Sequence, residues 1–250
     1  MKVELLNYTL GGLDLLLRTK GTRLAHDDDP VGWEMSKKLE HLAYMRDTIK
    51  SSWAFVDYTF AISDVTRAFT HQLVRSDGEY AQESQRTVDV REHEVIQPQN
   101  MPDNLRASWE LTVDDMMEGY ADLINRGMPV QDARGLLPTN ISTSIIAKFN
   151  LKELHYMAQT RLCVRTQGEY QDVFRAMRAE VLAVHPWAAD FIEVACVANG
   201  TCAFPRYGKD HCHIYDPRMD LTQLKSDTKR KFWDLEKQVA IPVAKEGKTM

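Results

Sequence analysis

Residues 141–161, ISTSIIAKFNLKELHYMAQTR, change period at a single asparagine, and that change decides the fold. Ile141, Thr143, Ile145, Ala147 and Phe149 recur at every second position, as in a strand with one buried face. Asn150 follows, and Glu153 stands three residues on, so the pair reads as a capping box that opens a helix. On a helix of 3.6 residues per turn, positions 150, 154, 157 and 161 share one stripe. Asn150 and Arg161 then lie about three turns apart along one side, with Leu154 and Met157 between them.

Upstream of this unit, Leu39, Leu42, Met45 and Ile49 recur at helical spacing after Pro30 and Gly32, so roughly residues 33–51 are expected to form an amphipathic helix. Trp53 to Ile62 is rich in aromatic and β-branched residues and predicts a strand buried on both faces, with Asp64 capping a helix over Val65 to Arg75. The polar stretch from Gly78 to Pro102 reads as a loop with a short strand around Thr87, Val88 and Val90. A helix near residues 112–126 ends at Gly127, and Pro129 starts a short helix that Pro138 stops. Downstream, Val173, Phe174, Met177 and Val181 share one face of a helix over Tyr170 to Val184. The pattern weakens beyond Pro186, and a charged helix carrying Phe232, Trp233 and Leu235 leads to a polar tail. These elements predict an α/β (α+β) fold, a central mainly antiparallel sheet flanked by helices in a single domain. The domain boundaries are 1–218 for the catalytic part and 219–250 for a charged helical extension.

A chain of 250 residues, 44% hydrophobic, can bury one sizeable core. The net charge of −5 disfavours nonspecific nucleic-acid binding, so an anionic ligand needs a local basic site. Asp14 interrupts the Leu13 to Leu17 run, so neither a signal-peptide core nor a membrane span is read there, and a cytoplasmic location is expected. Cys163, Cys196, Cys202 and Cys212 are too few and too unevenly spread for a disulfide scaffold.

Three groups of side chains carry chemistry. Gln72 and Arg75 share a helix face within THQLVR, residues 70–75, and QESQR at 82–86 brings Arg86 beside Ser84 and Gln85. An amide, a hydroxyl and a forked cation suit a phosphate or a flat heteroaromatic ring with polar edges, although the same residues also make a solvated helix face. Asp132-Ala133-Arg134 forms the second group, and Asn150 with Arg161 the third. An arginine on a largely apolar stripe needs acceptors, either a ligand or a structural salt bridge to Glu153 or Glu169. No Gly-rich phosphate loop, GxGxxG or Ser-centred nucleophile elbow is present.

Taken in order, FAISDVTRAFTHQLVR at 60–75, SerGlnArg at 84–86, GMPVQDARGLLP at 127–138, KFNLKELHYMAQTRL at 148–162 and TQGEY at 166–170 resemble the flavin-dependent thymidylate synthases over about residues 53–187. The resemblance implies reductive methylation of dUMP to dTMP, with methylenetetrahydrofolate, FAD and NADPH as cofactors, in a homotetramer whose sites draw on several subunits. By that similarity Gln72, Ser84, Gln85, Arg86, Arg134 and Arg161 hold the deoxynucleotide, with Arg86 and Arg134 near its phosphate and Arg161 near the base. Arg75, Glu83 and Asn150 contact the flavin. Arg161 is the expected electrostatic catalyst; Ser84, also a candidate catalytic residue, reads better as a binding hydroxyl, since no base stands beside it in sequence.

The chain departs from the family pattern in three places. The signature Arg-His-Arg, seven residues, Ser is here Arg75-Ser76-Asp77 with six residues before Ser84. Phe55 aligns nearest to a histidine of the family, and Gly168 replaces its tryptophan. The altered loop keeps two alternatives open: a related methyl- or hydroxymethyltransferase on another pyrimidine deoxynucleotide such as dCMP, and a noncatalytic nucleotide-binding homologue. Cys196, Cys202, His211, Cys212 and His213 crowd one stretch, but five residues between the first two cysteines is not a common zinc spacing, and no bound metal is expected.

Overall fold

The computed structural model describes residues 1–25, 29–48, 50–199, 202 and 204–215. The charged helix expected over 219–250 lies outside the described residues. Four strands, β1 (Lys2–Tyr8), β2 (Asp57–Thr66), β3 (Glu79–Gln82) and β4 (Ser142–Asn150), form one sheet in the order β1-β2-β4-β3. The helices of the described residues are α1 (Gly12–Arg23), α2 (Met35–Asp47), α3 (Arg67–Leu73), α4 (Asp103–Asn125), α5 (Val130–Ala133), α6 (Leu151–Arg161), α7 (Gly168–Val184), α8 (Ala195–Asn199) and α9 (Pro205–His211). The α+β architecture with an antiparallel sheet is the one the sequence predicts.

The described chain forms two compact units that exchange segments: residues 1–6 with 59–148, and residues 7–58 with 149 onward. In the first, β3 pairs antiparallel with β4, Glu79 opposite Lys148 and Gln82 opposite Ile145. Ile141, Thr143, Ile145 and Ala147 are all buried, as period two requires. A small cluster of Val90, Tyr120, Ala133 and Ile141 closes this unit, with Met117, Leu123 and Ile124 from the C-terminal half of α4 against it. Gly127 then takes a left-handed φ of 90° and ends the helix.

The second unit packs α1, α2, α6 and α7 around Trp53, Tyr58, Phe149, Phe174 and Phe191, all fully buried. Burial of each such side chain contributes roughly 1.5–3 kcal/mol. Asn150 caps α6 as its sequence position predicts, its Oδ1 accepting the Glu153 N–H at 2.9 Å. His185 is buried too, bonded through Nδ1 to the Tyr58 hydroxyl at 2.9 Å. A Cβ on Gly12 would lie 2.8 Å from the imidazole Cε1, so only glycine fits at the start of α1.

The sequence reading needs four local corrections. Residues 50–55 form a 3-10 turn, and β2 starts at Asp57, because Trp53 turns inward onto the rings of His155 and Phe191, with centroids 5.0 and 4.6 Å away. Along β2 Tyr58, Phe60 and Ile62 are buried and the residues between them are half-buried, so the strand is not buried equally on both faces. Asp64 is no helix cap: it sits exposed in β2 with φ 55°, and Thr66 caps α3 by accepting the Phe69 N–H at 3.0 Å. The short strand precedes Ser84 rather than lying at 87–90, where the Thr87 and Val88 amides instead fold back onto the Ser84 carbonyl. The amino-terminal residues form β1 and α1.

Candidate functional site

In the first unit, α3 and the turn after β3 bring the first group of side chains together. The Ser84 carbonyl accepts from the Thr87 and Val88 amides at 3.2 and 2.9 Å, and its hydroxyl accepts the Arg86 N–H at 3.3 Å. Arg86 leaves this turn exposed and donates from Nε to the Gln131 Oε1 at 3.3 Å. That bond places the SerGlnArg turn against α5, whose next residue is Arg134. The Arg134 guanidinium is exposed and forms no hydrogen bond or ion pair with a described residue.

Arg67 joins them, although its sequence position alone did not single it out. It donates to the Glu83 carbonyl at 3.1 Å and to the His71 Nε2 at 3.3 Å. Burial first, and then the neighbouring positive charge of Arg134, hold its guanidinium below the ordinary arginine range, with Glu83 opposing. Two guanidinium groups close enough to repel each other favour an anion beside them. Gln85 adds a buried amide nitrogen with no hydrogen-bond partner, and Gln72 lies half-buried on α3.

Glu83 ends the same turn. Its carboxylate approaches His93 Nε2 at 3.4 Å and borders a cavity of about 270 Å³ lined by small or apolar residues of β2, β3 and β4, among them Ala61, Ser63, Ala81 and Ser144. Arg75 follows α3 with an exposed guanidinium that meets no described partner. The Tyr80 hydroxyl lies 3.0 Å from the Leu73 carbonyl and 2.8 Å from that of Ser76, which pins the altered Arg75-Ser76-Asp77 loop from beneath.

In the second unit, Asn150 and Arg161 stand at opposite ends of α6. Because the Asn150 Oδ1 is engaged in the cap, its amide NH₂ is the group left to donate. The Arg161 guanidinium lies 4.3 Å from the Tyr170 ring centroid, a cation–π contact. The helix between them is anchored by His155, whose Nδ1 donates to the Phe191 carbonyl at 2.7 Å while Nε2 accepts from Lys50 and Gln159, both at 2.8 Å. Burial lowers the His155 pKa and keeps the ring neutral in that role.

Within the first unit Arg75 offers an uncommitted cation suited to a diphosphate, and Arg67, Arg86 and Arg134 form a separate basic group; within the second, Asn150 offers an amide suited to a ring edge. Residues 19–187 match the family model described as thymidylate synthase complementing protein. The chain is 29% identical over 211 residues to the flavin-dependent thymidylate synthase of Sulfurisphaera tokodaii, covering 80% of each chain. It is 30% identical over 212 residues to that of Saccharolobus solfataricus, covering 80% of this chain and 79% of the relative. To the Pyrococcus furiosus enzyme of the same name it is 32% identical over 158 residues, covering 58% and 64%. Two features therefore agree, an α+β chain with the family's motifs in order and a family match across most of its length: the protein belongs to the Thy1 family of flavin-dependent thymidylate synthases.

Proposed function

We propose that this protein methylates dUMP reductively to dTMP. The observation that carries the reading is the basic group of Arg67, Arg86 and Arg134 near Ser84, two of whose arginines the family resemblance assigns to the nucleotide phosphate. When bound, FAD reduced by NADPH supplies the hydride, and methylenetetrahydrofolate supplies the carbon. Arg75, Glu83 and Asn150 are the residues proposed to hold the flavin.

The chain's own contribution is binding and orientation. Arg86 and Arg134 grip the phosphate with forked donors, Gln72, Gln85 and the Ser84 hydroxyl bond the sugar and base edge, and Arg161 faces the pyrimidine. A guanidinium held 4.3 Å from the Tyr170 ring centroid is preorganised, so it can stabilise negative charge that grows on the base carbonyl as the ring is activated. Ser84 binds rather than attacks, because its Oγ accepts the Arg86 amide and no histidine or lysine is bonded to it among the described residues.

A homotetramer completes the proposal. Leu105, Leu111 and Met116 on α4 are 51%, 67% and 37% exposed, which supports burial of this helix in an assembly. A second reading, transfer to dCMP or delivery of a hydroxymethyl group, is favoured by the shortened Arg75-Ser76-Asp77 loop.

The test is the absorbance spectrum of purified protein. Bound oxidised flavin that bleaches with NADPH and recovers on addition of methylenetetrahydrofolate and dUMP supports the reading. A protein that neither retains nor takes up FAD contradicts it.

A further inference from the structure

The turn that carries Ser84, Gln85 and Arg86 begins a loop with a closed neck. The chain leaves the sheet at Glu83, whose N–H donates to the Ser144 carbonyl of β4 at 3.1 Å, and comes back at His93. It then rejoins the same strand and the residues leading into it. The Ser142 N–H donates to the Glu94 carbonyl at 2.8 Å, Val95 bridges Ile141 antiparallel, and the Ile96 N–H donates to the Asn140 carbonyl at 2.9 Å. Residues 84–92 therefore project between two points fixed to one strand, and the side chains of Glu83 and His93 meet across the gap.

His93 is held on both sides of its ring. Nδ1 donates to the Ser142 carbonyl at 3.1 Å, because a carbonyl can only accept. Nε2 lies 3.4 Å from the Glu83 Oε1, and with Nδ1 already an N–H these two atoms attract only when a second proton lies between them. The Glu83 Oε1 is buried and makes no hydrogen bond, so the ion pair with His93 is what compensates it. The other charges near the neck point elsewhere. Arg67 donates to the Glu83 carbonyl at 3.1 Å, and Asp89 and Arg91 pair with each other inside the loop at 2.6 Å. The far half of the loop has its own anchors, Val90 buried in the small cluster and Arg91 donating to Asn125 at 3.0 Å. Ser84 and Arg86, in the near half, are exposed, and the neck sets where that half begins.

We propose that His93 is a positioning residue for the nucleotide site: its contact with Glu83 clasps the neck of loop 84–92 and holds Ser84 and Arg86 for an anionic ligand, a role that rests on Arg86 binding the nucleotide phosphate. Without the imidazole, a buried carboxylate oxygen loses its counter-charge, and turning it to water moves the residue directly before Ser84. The Glu83 carbonyl moves too, and with it the bond from Arg67. One lost contact thereby loosens two arginines of the basic group. Only Oε1 of Glu83 is used in the clasp.

Two substitutions separate the two contacts of the ring. The amide of asparagine reaches about as far as Nδ1 and that of glutamine about as far as Nε2, so His93→Asn keeps the bond to Ser142 and loses Glu83, whereas His93→Gln keeps a donor at Glu83. The experiment is amide hydrogen exchange of the full chain, read on peptides covering residues 84–92, with dUMP dissociation constants from calorimetry. In His93→Asn the Thr87 and Val88 amides, which bond the Ser84 carbonyl, should exchange roughly fivefold faster or more, and dUMP should bind roughly fivefold more weakly or more. His93→Gln should recover most of both. If His93→Asn fails to fold, Glu83→Gln removes the same ion pair from the other side and must speed the same amides. Unchanged exchange in His93→Asn overturns the clasp, and so does an equal loss in His93→Gln, which would assign the imidazole to packing. A loosened loop with unchanged dUMP affinity overturns the positioning role. A wild-type chain that binds no dUMP overturns the nucleotide reading and the positioning role with it, while the exchange comparison still decides the clasp.

Discussion

Arg86 donates from Nε to the Gln131 Oε1 at 3.3 Å, and this bond ties the turn after β3 to the helix that leads into Arg134. Two arginines far apart in sequence are thereby held on one side of the first unit. On the proposed reading, Arg86→Ala removes a contact to the phosphate, a part of the substrate that does not react. It is expected to raise the KM for dUMP on the order of tenfold or more with little change in kcat. Gln131→Ala, which only loosens the turn, should give a smaller rise in KM. Steady-state nucleotide kinetics check both, and a large loss of kcat in Arg86→Ala at full flavin occupancy would move that arginine away from the phosphate.

Arg161 answers to a different measurement. Its guanidinium is positioned over Tyr170, and the proposed role is felt in the transition state, so Arg161→Ala should lower kcat on the order of a hundredfold or more at saturating dUMP. Arg161→Lys should restore little, because a point charge lacks the planar fork that stacks on the ring. Flavin content is measured first. Near-normal turnover in Arg161→Ala with FAD and nucleotide bound would assign the arginine to structure.

Gly12→Ala tests the packing at His185. With its Cβ 2.8 Å from the imidazole Cε1 and 3.1 Å from Val56 Cγ1, the new methyl forces the ring or the strand to shift. The expected loss is about 1–3 kcal/mol, read as a lower denaturation midpoint at unchanged slope. An unchanged midpoint would mean that the imidazole moves freely, against its bond to Tyr58.

Two buried histidines set the acid limit of stability. Burial lowers the His185 pKa from 6.5 to about 4, and burial chiefly lowers that of His155 as well. Between those values the unfolded chain binds the proton and the folded chain does not, so folding loses stability as pH falls. This contribution is fully present above about 6.5, declines through the interval down to about 4 and is spent below it. Denaturant midpoints across that range should fall with acid, and His185→Gln should flatten the slope between 6.5 and 4. A slope identical in the variant would place the acid sensitivity elsewhere.

What could be read before the fold was known follows from how local each cause is. The Asn150 cap and the alternation from Ile141 to Phe149 need only neighbours in sequence, and both stand as expected. β3 was misplaced because its pairing with Lys148 to Ile145 is a long-range choice, while the β-leaning Thr87 and Val88 are claimed by a turn on Ser84. Asp64 looked like a cap by type, but the hydroxyl two residues later reaches the Phe69 amide. Arg67 escaped notice because its importance lies in its closeness to Arg134. Lone side chains that act through space leave no period to detect.

The most direct test of the proposed activity is mass spectrometry of the nucleotide formed when the flavin-loaded protein is incubated with dUMP, NADPH and methylenetetrahydrofolate, with dCMP in a parallel reaction. The account predicts dTMP from dUMP, dependent on all three additions, and unchanged dCMP. Recovery of unaltered dUMP by protein that holds FAD, or of a methylated or hydroxymethylated product from dCMP alone, would contradict it.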